Sequence, residues 1–115
     1  MSGGTVPGYA IGYLEDVERG AEIIEYLRRI EATFEPFGGA WMVHGTQHVT
    51  HEGRLPGDLI IIGFPSVTAA RAWLDSEPYR RIVPLRTGHA RSVIVSVEGV
   101  PPGYRAEQTI AKLAG

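Results

Sequence analysis

The chain has 115 residues, 43% of them hydrophobic, a size that supports one compact domain and still gains from a partner that hides further surface. A net charge of −2 gives no general attraction to nucleic acid, and no apolar run approaches the roughly 18 residues that cross a bilayer. The lack of cysteine removes disulfides, thiolate metal sites, iron–sulfur clusters and cysteine nucleophiles, so histidine and carboxylates are the strong ligand types that remain.

Residues 1–8 read as a flexible start, and Met1-Ser2-Gly3-Gly4 carries neither a basic region nor an apolar stretch, so the expectation is a cytoplasmic protein. From Tyr9 to Leu14, large residues at 9, 11 and 13 alternate with smaller ones, which predicts a strand. Asp16 is placed to cap a helix whose apolar positions Ile23, Leu27, Ile30 and Phe34 form one stripe. Pro36 and Gly38-Gly39 stop it. The segment from Ala40 to about His51 reads as a long second strand, with Gly45 as a bulge or a close approach.

The turn formers of Gly53-Arg54-Leu55-Pro56-Gly57 lead into a third strand, Leu59 to Phe64, which makes a hairpin with the second. Ser66 offers a hydroxyl to the free amides of a helix presenting Val67, Ala70, Trp73 and Leu74. Ser76 and Pro78 restart a helix holding Tyr79, Ile82, Val83 and Leu85, which Pro84 is expected to break or kink. Ser92 to Val97 is the fourth strand. Residues 9–99 thus form the domain, and 100–115 a C-terminal extension in which Arg105 to Lys112 has a helical composition without a long period.

The order β-α-β-β-α-β is the split unit of ferredoxin-like folds, an α+β sandwich with a four-stranded antiparallel sheet and its helices on one face. In the third and fourth strands, side chains of both parities are apolar, so neither sheet face is suited to water. A second copy is therefore expected to cover the face without helices, giving a homodimer and a barrel-like body. Charge is also divided. Residues 1–58 carry nine acids and four bases, net −5, and residues 59–115 four acids and seven bases, net +3. Ten of the eleven bases are arginine, the residue suited to planar carboxylate or phosphate recognition.

With the elements in that order, the motifs Pro36-Phe37-Gly38-Gly39, Val43-His44-Gly45, Glu52-Gly53, Phe64-Pro65-Ser66, Ala69-Ala70-Arg71-Ala72-Trp73, Ser76-Glu77-Pro78-Tyr79 and Leu85-Arg86 resemble the domain-of-unknown-function family 1330 of the dimeric α+β barrel superfamily. The resemblance runs from about Tyr9 to Gly99 and is most specific between Phe64 and Arg86. It implies a ferredoxin-like protomer and a barrel dimer, with no settled activity, while the superfamily makes an isomerase, a lyase or a cofactor-free monooxygenase conceivable. Where the family often has arginine this chain has His44, and Pro84 stands where the family has helical non-proline residues, so His44 reads as an acid or base rather than an anion contact.

Several residues are candidates for chemistry. His44 beside Gly45 is suited to moving a proton, with Glu52 able to orient it if a bulge rotates the chain; the plainer alternative is a histidine bonded within the sheet or an interface. Tyr79 and Arg86, seven apart, share a helix face, where Arg86 can hold a substrate carboxylate and Tyr79 supply a hydroxyl; alternatively Tyr79 packs in the core and Arg86 pairs with an acid of another protomer. His89 belongs either to that site or to the surface, and Trp41 either walls a flat ligand or packs in the core.

A metal cluster of His44, His48 and His51 conflicts with strand geometry, since 44 and 48 would lie about 13 Å apart and 51 on the opposite face. There is no phosphate loop, nucleophile elbow or dinucleotide fingerprint, so no nucleotide, metal or other cofactor is expected. The third strand lacks the basic and aromatic residues by which a domain of this order would bind RNA. The sequence thus points to a small enzyme acting on a carboxylate- or carbonyl-bearing molecule or, alternatively, to a non-catalytic dimer that binds a small ligand or partner.

Overall fold

A computed structural model describes residues 6–115, so most of the start expected to be flexible lies outside the described residues, while Gly8 already opens the first strand. The elements are β1 (Gly8–Glu15), α1 (Ala21–Phe34), β2 (Ala40–His44), β3 (Asp58–Phe64), α2 (Val67–Asp75), α3 (Glu77–Thr87), β4 (Arg91–Glu98) and α4 (Ala106–Ala114), with a single 3-10 turn at Glu35–Phe37. The four strands pair antiparallel in the order β2-β3-β1-β4, which is the ferredoxin-like α+β arrangement expected from the sequence. Two short helices, α2 and α3, together occupy the place of the second helix.

Strand β1 shows how the sheet sorts its side chains. Gly8, Ala10 and Gly12 are buried toward the helices, while Tyr9, Ile11 and Tyr13 point to the other face. The helix side packs Ala10, Ile62 and Phe64 of the sheet against Ile30 and Phe34 of α1, Trp73 of α2 and Ile82 of α3, all buried. Trp73 is the centrepiece. Its ring contacts Phe34 edge-on at 5.9 Å and lies 4.3 Å from that of Tyr79, and its indole N–H donates to the Thr33 hydroxyl at 2.9 Å. That hydroxyl in turn donates to the Ile30 carbonyl, so the indole N–H and the Thr33 hydroxyl are both satisfied.

On the opposite face the central strand lays three apolar rows. Tyr9 lies between Val97 and Gly63, Ile11 between Val95 and Ile61, and Tyr13 between Val93 and Leu59. Within one chain this surface is uncovered: Val93, Val95 and Val97 are 59%, 46% and 43% exposed.

Five local expectations are corrected. Strand β2 ends at His44 rather than near His51, because Gly45 takes a left-handed φ of 64° and starts a loop that reaches Gly57. His48 and His51 therefore lie in that loop and not on a strand. The bulge falls at Met42, where the register shifts between Trp41 and Val43, and not at Gly45. Helix α1 starts at Ala21 with Gly20 in the capping position; Asp16, at φ 54°, instead faces Arg91 at 3.5 Å. Finally, α3 runs unbroken through Pro84 to Thr87. The buried stripe of α1 is also turned relative to the aliphatic pattern, with Tyr26, Ile30, Thr33 and Phe34 inside and Leu27 43% exposed.

Candidate functional site

Between the sheet and helices α1 and α3 lies a cavity of about 80 Å³. Its walls are mainly apolar, with Ile23 and Ile30 from α1, Ile60 and Ile62 from β3, and Ile94 from β4 among them. Room for it is made in β1 by Gly12, where a Cβ would come within 3.3 Å of the Ile94 side chain and 3.8 Å of Ile60.

One end is strongly polar. Arg86, in the last turn of α3, is only 5% exposed. Its Nη1 donates to the hydroxyls of Tyr79 at 2.8 Å and Tyr26 at 3.0 Å, and its Nε donates to the Ser92 hydroxyl at 3.2 Å. The guanidinium also lies 5.5 Å from the centre of the Tyr26 ring. No carboxylate pairs with it among the described residues, and its Nη2 has no protein acceptor there.

A buried cation is costly without a partner charge, and here three neutral oxygens take the counter-ion's place. Burial disfavours the charged form of Arg86, but the two tyrosine oxygens favour it more strongly, so its pKa lies above the ordinary value. Burial likewise pushes the Tyr26 hydroxyl well above the usual tyrosine range; Tyr79 adds to this, and Arg86 offsets it only in part. The Tyr26 hydroxyl therefore stays neutral at physiological pH. Because both tyrosine hydroxyls accept from Arg86, a hydroxyl proton is left for a further acceptor such as a ligand oxygen.

The other end is formed by Trp41 and His44. Their rings stack at 4.0 Å with an interplanar angle of 6°. In a regular strand residues three apart face opposite ways, but the extra residue Met42 lets Trp41 pair with Ile62 and His44 with Ile60, both on the helix side. The Trp41 indole N–H donates to Glu31 at 2.6 Å, which fixes the ring, and the exposed His44 marks the mouth of the cavity together with Leu27.

Of the residues singled out in the sequence, the fold thus brings Trp41, His44, Tyr79 and Arg86 to one cavity. It does not bring Glu52 or His89 there. Glu52 is exposed in the loop after β2, and His89 binds Glu18 through Nδ1 at 3.0 Å, tying the end of α3 to the segment after β1. Tyr26 and Ser92 were not among the candidates. The one available signal for Tyr26 was its place on the stripe of α1, four residues before Ile30; Ser92 carries none. Among the described residues no three histidine, aspartate or glutamate side chains gather as metal ligands, and no helix is long and apolar enough to cross a membrane.

The chain belongs to the family described as "Domain of unknown function (DUF1330)", which matches residues 7–100. No curated protein matches it at a significant level. Among solved structures it is similar to RPA0582, a protein of unknown function from Rhodopseudomonas palustris, at 21% identity and a TM-score of 0.64 over 85% of each chain. The methylated form of RPA0582 gives 19% identity and a TM-score of 0.65 over 87% of this chain and 85% of that one. A hypothetical protein of Arabidopsis thaliana, AT3G17210, is similar at 13% identity and a TM-score of 0.54, over 87% of this chain and 94% of that one. At these identities the likeness is one of fold.

Proposed function

We propose that this protein is a cytoplasmic homodimeric enzyme that holds a small carboxylate- or carbonyl-bearing molecule in the cavity between sheet and helices. It acts without a nucleotide or metal cofactor, in chemistry of the isomerase, lyase or cofactor-free monooxygenase type. The observation that carries this reading is the buried guanidinium of Arg86, which has three hydroxyl partners and no carboxylate. An anionic or carbonyl oxygen arriving through the cavity supplies the missing partner to Nη2, and a tyrosine proton completes its coordination. The apolar walls select a short hydrocarbon body. The space of about 80 Å³ is smaller than the ~150 Å³ enclosed cavity that admits benzene, so a short acid fits within it and a longer one extends through its open mouth.

In this reading His44 transfers the proton, placed by its stack on Trp41 at the opposite end. Homodimerisation through the outer sheet face is supported by its three uninterrupted apolar rows, more than a soluble monomer normally leaves in water. One observation favours a second reading, a binding protein without turnover: His44 is the one imidazole or carboxylate among the residues lining the cavity, and it sits in solvent.

A thermal-shift series of short aliphatic acids, keto acids and aldehydes against the wild-type chain, Arg86→Ala and His44→Ala tests both readings. Stabilisation that depends on Arg86 supports the site, and turnover of the stabilising compound, lost with His44→Ala, supports the enzyme. No stabilisation by any of these compounds removes the site.

A further inference from the structure

Gly12 lies midway along the floor of the cavity. The register of the sheet places His44, Ile60, Gly12 and Ile94 in one cross-strand row from β2 to β4, and all four line the cavity. His44 is thus two strands from Gly12, about 10 Å away. Toward the other end, Ser92 accepts from Arg86 Nε and pairs with Leu14, so it lies one strand over and two residues along from Gly12, about 8 Å away. A ligand that reaches from the guanidinium toward the mouth therefore passes over the one position in the row that has no side chain.

Neither the backbone nor the packing of the sheet requires a glycine there. Gly12 has no positive φ, so any residue can adopt its conformation, and a glycine within a strand weakens it. At Gly8 and Gly57 a Cβ would meet backbone at 2.3 Å, whereas at Gly12 the nearest atoms are Ile94 Cδ1 at 3.3 Å, Leu14 Cδ1 at 3.6 Å and Ile60 Cβ at 3.8 Å. The closest of these is the far end of a flexible side chain, all three belong to the sheet, and no atom of the helices lies nearer. A side chain at position 12 would grow into the cavity, which leaves the open space itself as the reason for the glycine.

Charge defines the head of the ligand that uses this space. Arg86 brings a positive charge into the fold without a carboxylate partner, so a neutral ligand leaves that charge uncompensated and a single carboxylate neutralises it. The two oxygens of a carboxylate take Nη2 and the spare tyrosine proton, one each. Beyond them, the side chains of Ile94 and Ile60 on either side of Gly12 offer only hydrocarbon.

We infer that the ligand is an aliphatic carboxylic acid bound head-first, its carboxylate at Arg86 and its unbranched tail in the gap over Gly12, and that Gly12 sets how much tail the cavity accepts. The inference rests on the site proposed above and narrows its ligand to an acid.

The test is NMR titration of the full chain with the acids from acetate to hexanoate and with the amide of each, in the wild type, Gly12→Ala and Ile94→Val, whose folds are checked by circular dichroism. In the wild type, affinity is expected to rise with tail length, and each acid to bind about tenfold or more tightly than its amide. In Gly12→Ala the loss is expected to be smallest for acetate and to reach about tenfold for hexanoate, as when a methylene site is filled. Ile94→Val removes the atom beside the gap and is expected to move the preference from hexanoate to a methyl-branched acid. No binding of any acid to the wild type overturns the site and this inference together. Amides that bind as tightly as acids overturn the carboxylate head alone and leave a carbonyl ligand to the site. A Gly12→Ala protein with the wild-type affinity for hexanoate or, if that variant does not fold, an Ile94→Val protein with the wild-type preference overturns the role of Gly12 alone.

Discussion

The Tyr79 hydroxyl sits 2.8 Å from Nη1 of Arg86, seven residues further along the same helix, and Pro84 between them does not part the two. A helix that continues through a proline is thus what assembles the polar end of the cavity. Tyr79→Phe removes one oxygen from a buried charge and is expected to cost about 1.5–3 kcal/mol in urea unfolding. An unchanged unfolding midpoint would mean that this bond contributes nothing.

Tyr26 sets a stability limit at high pH. Burial raises its folded pKa above the unfolded value of about 10, so the neutral form is the one the fold prefers. The contribution is fully present below pH ~10 and is lost as pH rises from there toward the folded pKa, because the unfolded chain gives up the proton first. Urea midpoints measured from pH 8 to 11 should fall at the top of the range, and the fall should shrink in Tyr26→Phe. Equal slopes in the two proteins would contradict it.

Gly8 is required by space rather than by turn geometry. A Cβ there would lie 2.3 Å from both N and Cα of Val67, the first residue of α2, and backbone at a helix start cannot swing aside. Gly8→Ala is expected to cost about 3 kcal/mol, the upper part of the overpacking range. Equilibrium denaturation measures it, and a loss under about 0.5 kcal/mol would show that strand and helix can separate freely.

Val95 faces outward from β4 opposite Ile11, in the middle row of the apolar face. Val95→Asp should convert the proposed dimer to a monomer with its fold retained, since within one chain the side chain is already 46% exposed. Light scattering reads the mass and circular dichroism the fold. A variant that remains dimeric would place the interface elsewhere.

The strand and helix order was legible because each element has a strong local signal: the alternation from Tyr9 to Leu14, the Ile60-Ile61-Ile62 run, and the Ser66 hydroxyl, which accepts from the Ala69 amide at 3.1 Å. Tyr79 and Arg86 were legible as a pair because helical spacing alone puts them on one side. Tyr26 was not, since an aliphatic count ignores a tyrosine that is buried only because Arg86 satisfies its hydroxyl. Asp16 misled as a cap because a local hydroxyl or carboxylate signal says nothing of Arg91 on the neighbouring strand, which claims it. The placement of Trp41 with His44 was hidden too, because strand parity puts residues three apart on opposite faces unless one residue leaves the ladder, and Met42 leaves it.

That extra residue makes β2 tolerant of a change in length. Excising Met42 would leave Trp41 across from Ile62 and His44 across from Ile60, with both rings still over the cavity. A homologue one codon shorter at this point would keep the same pair, and an alignment that places the gap after the histidine would assign that histidine to the wrong side of the sheet.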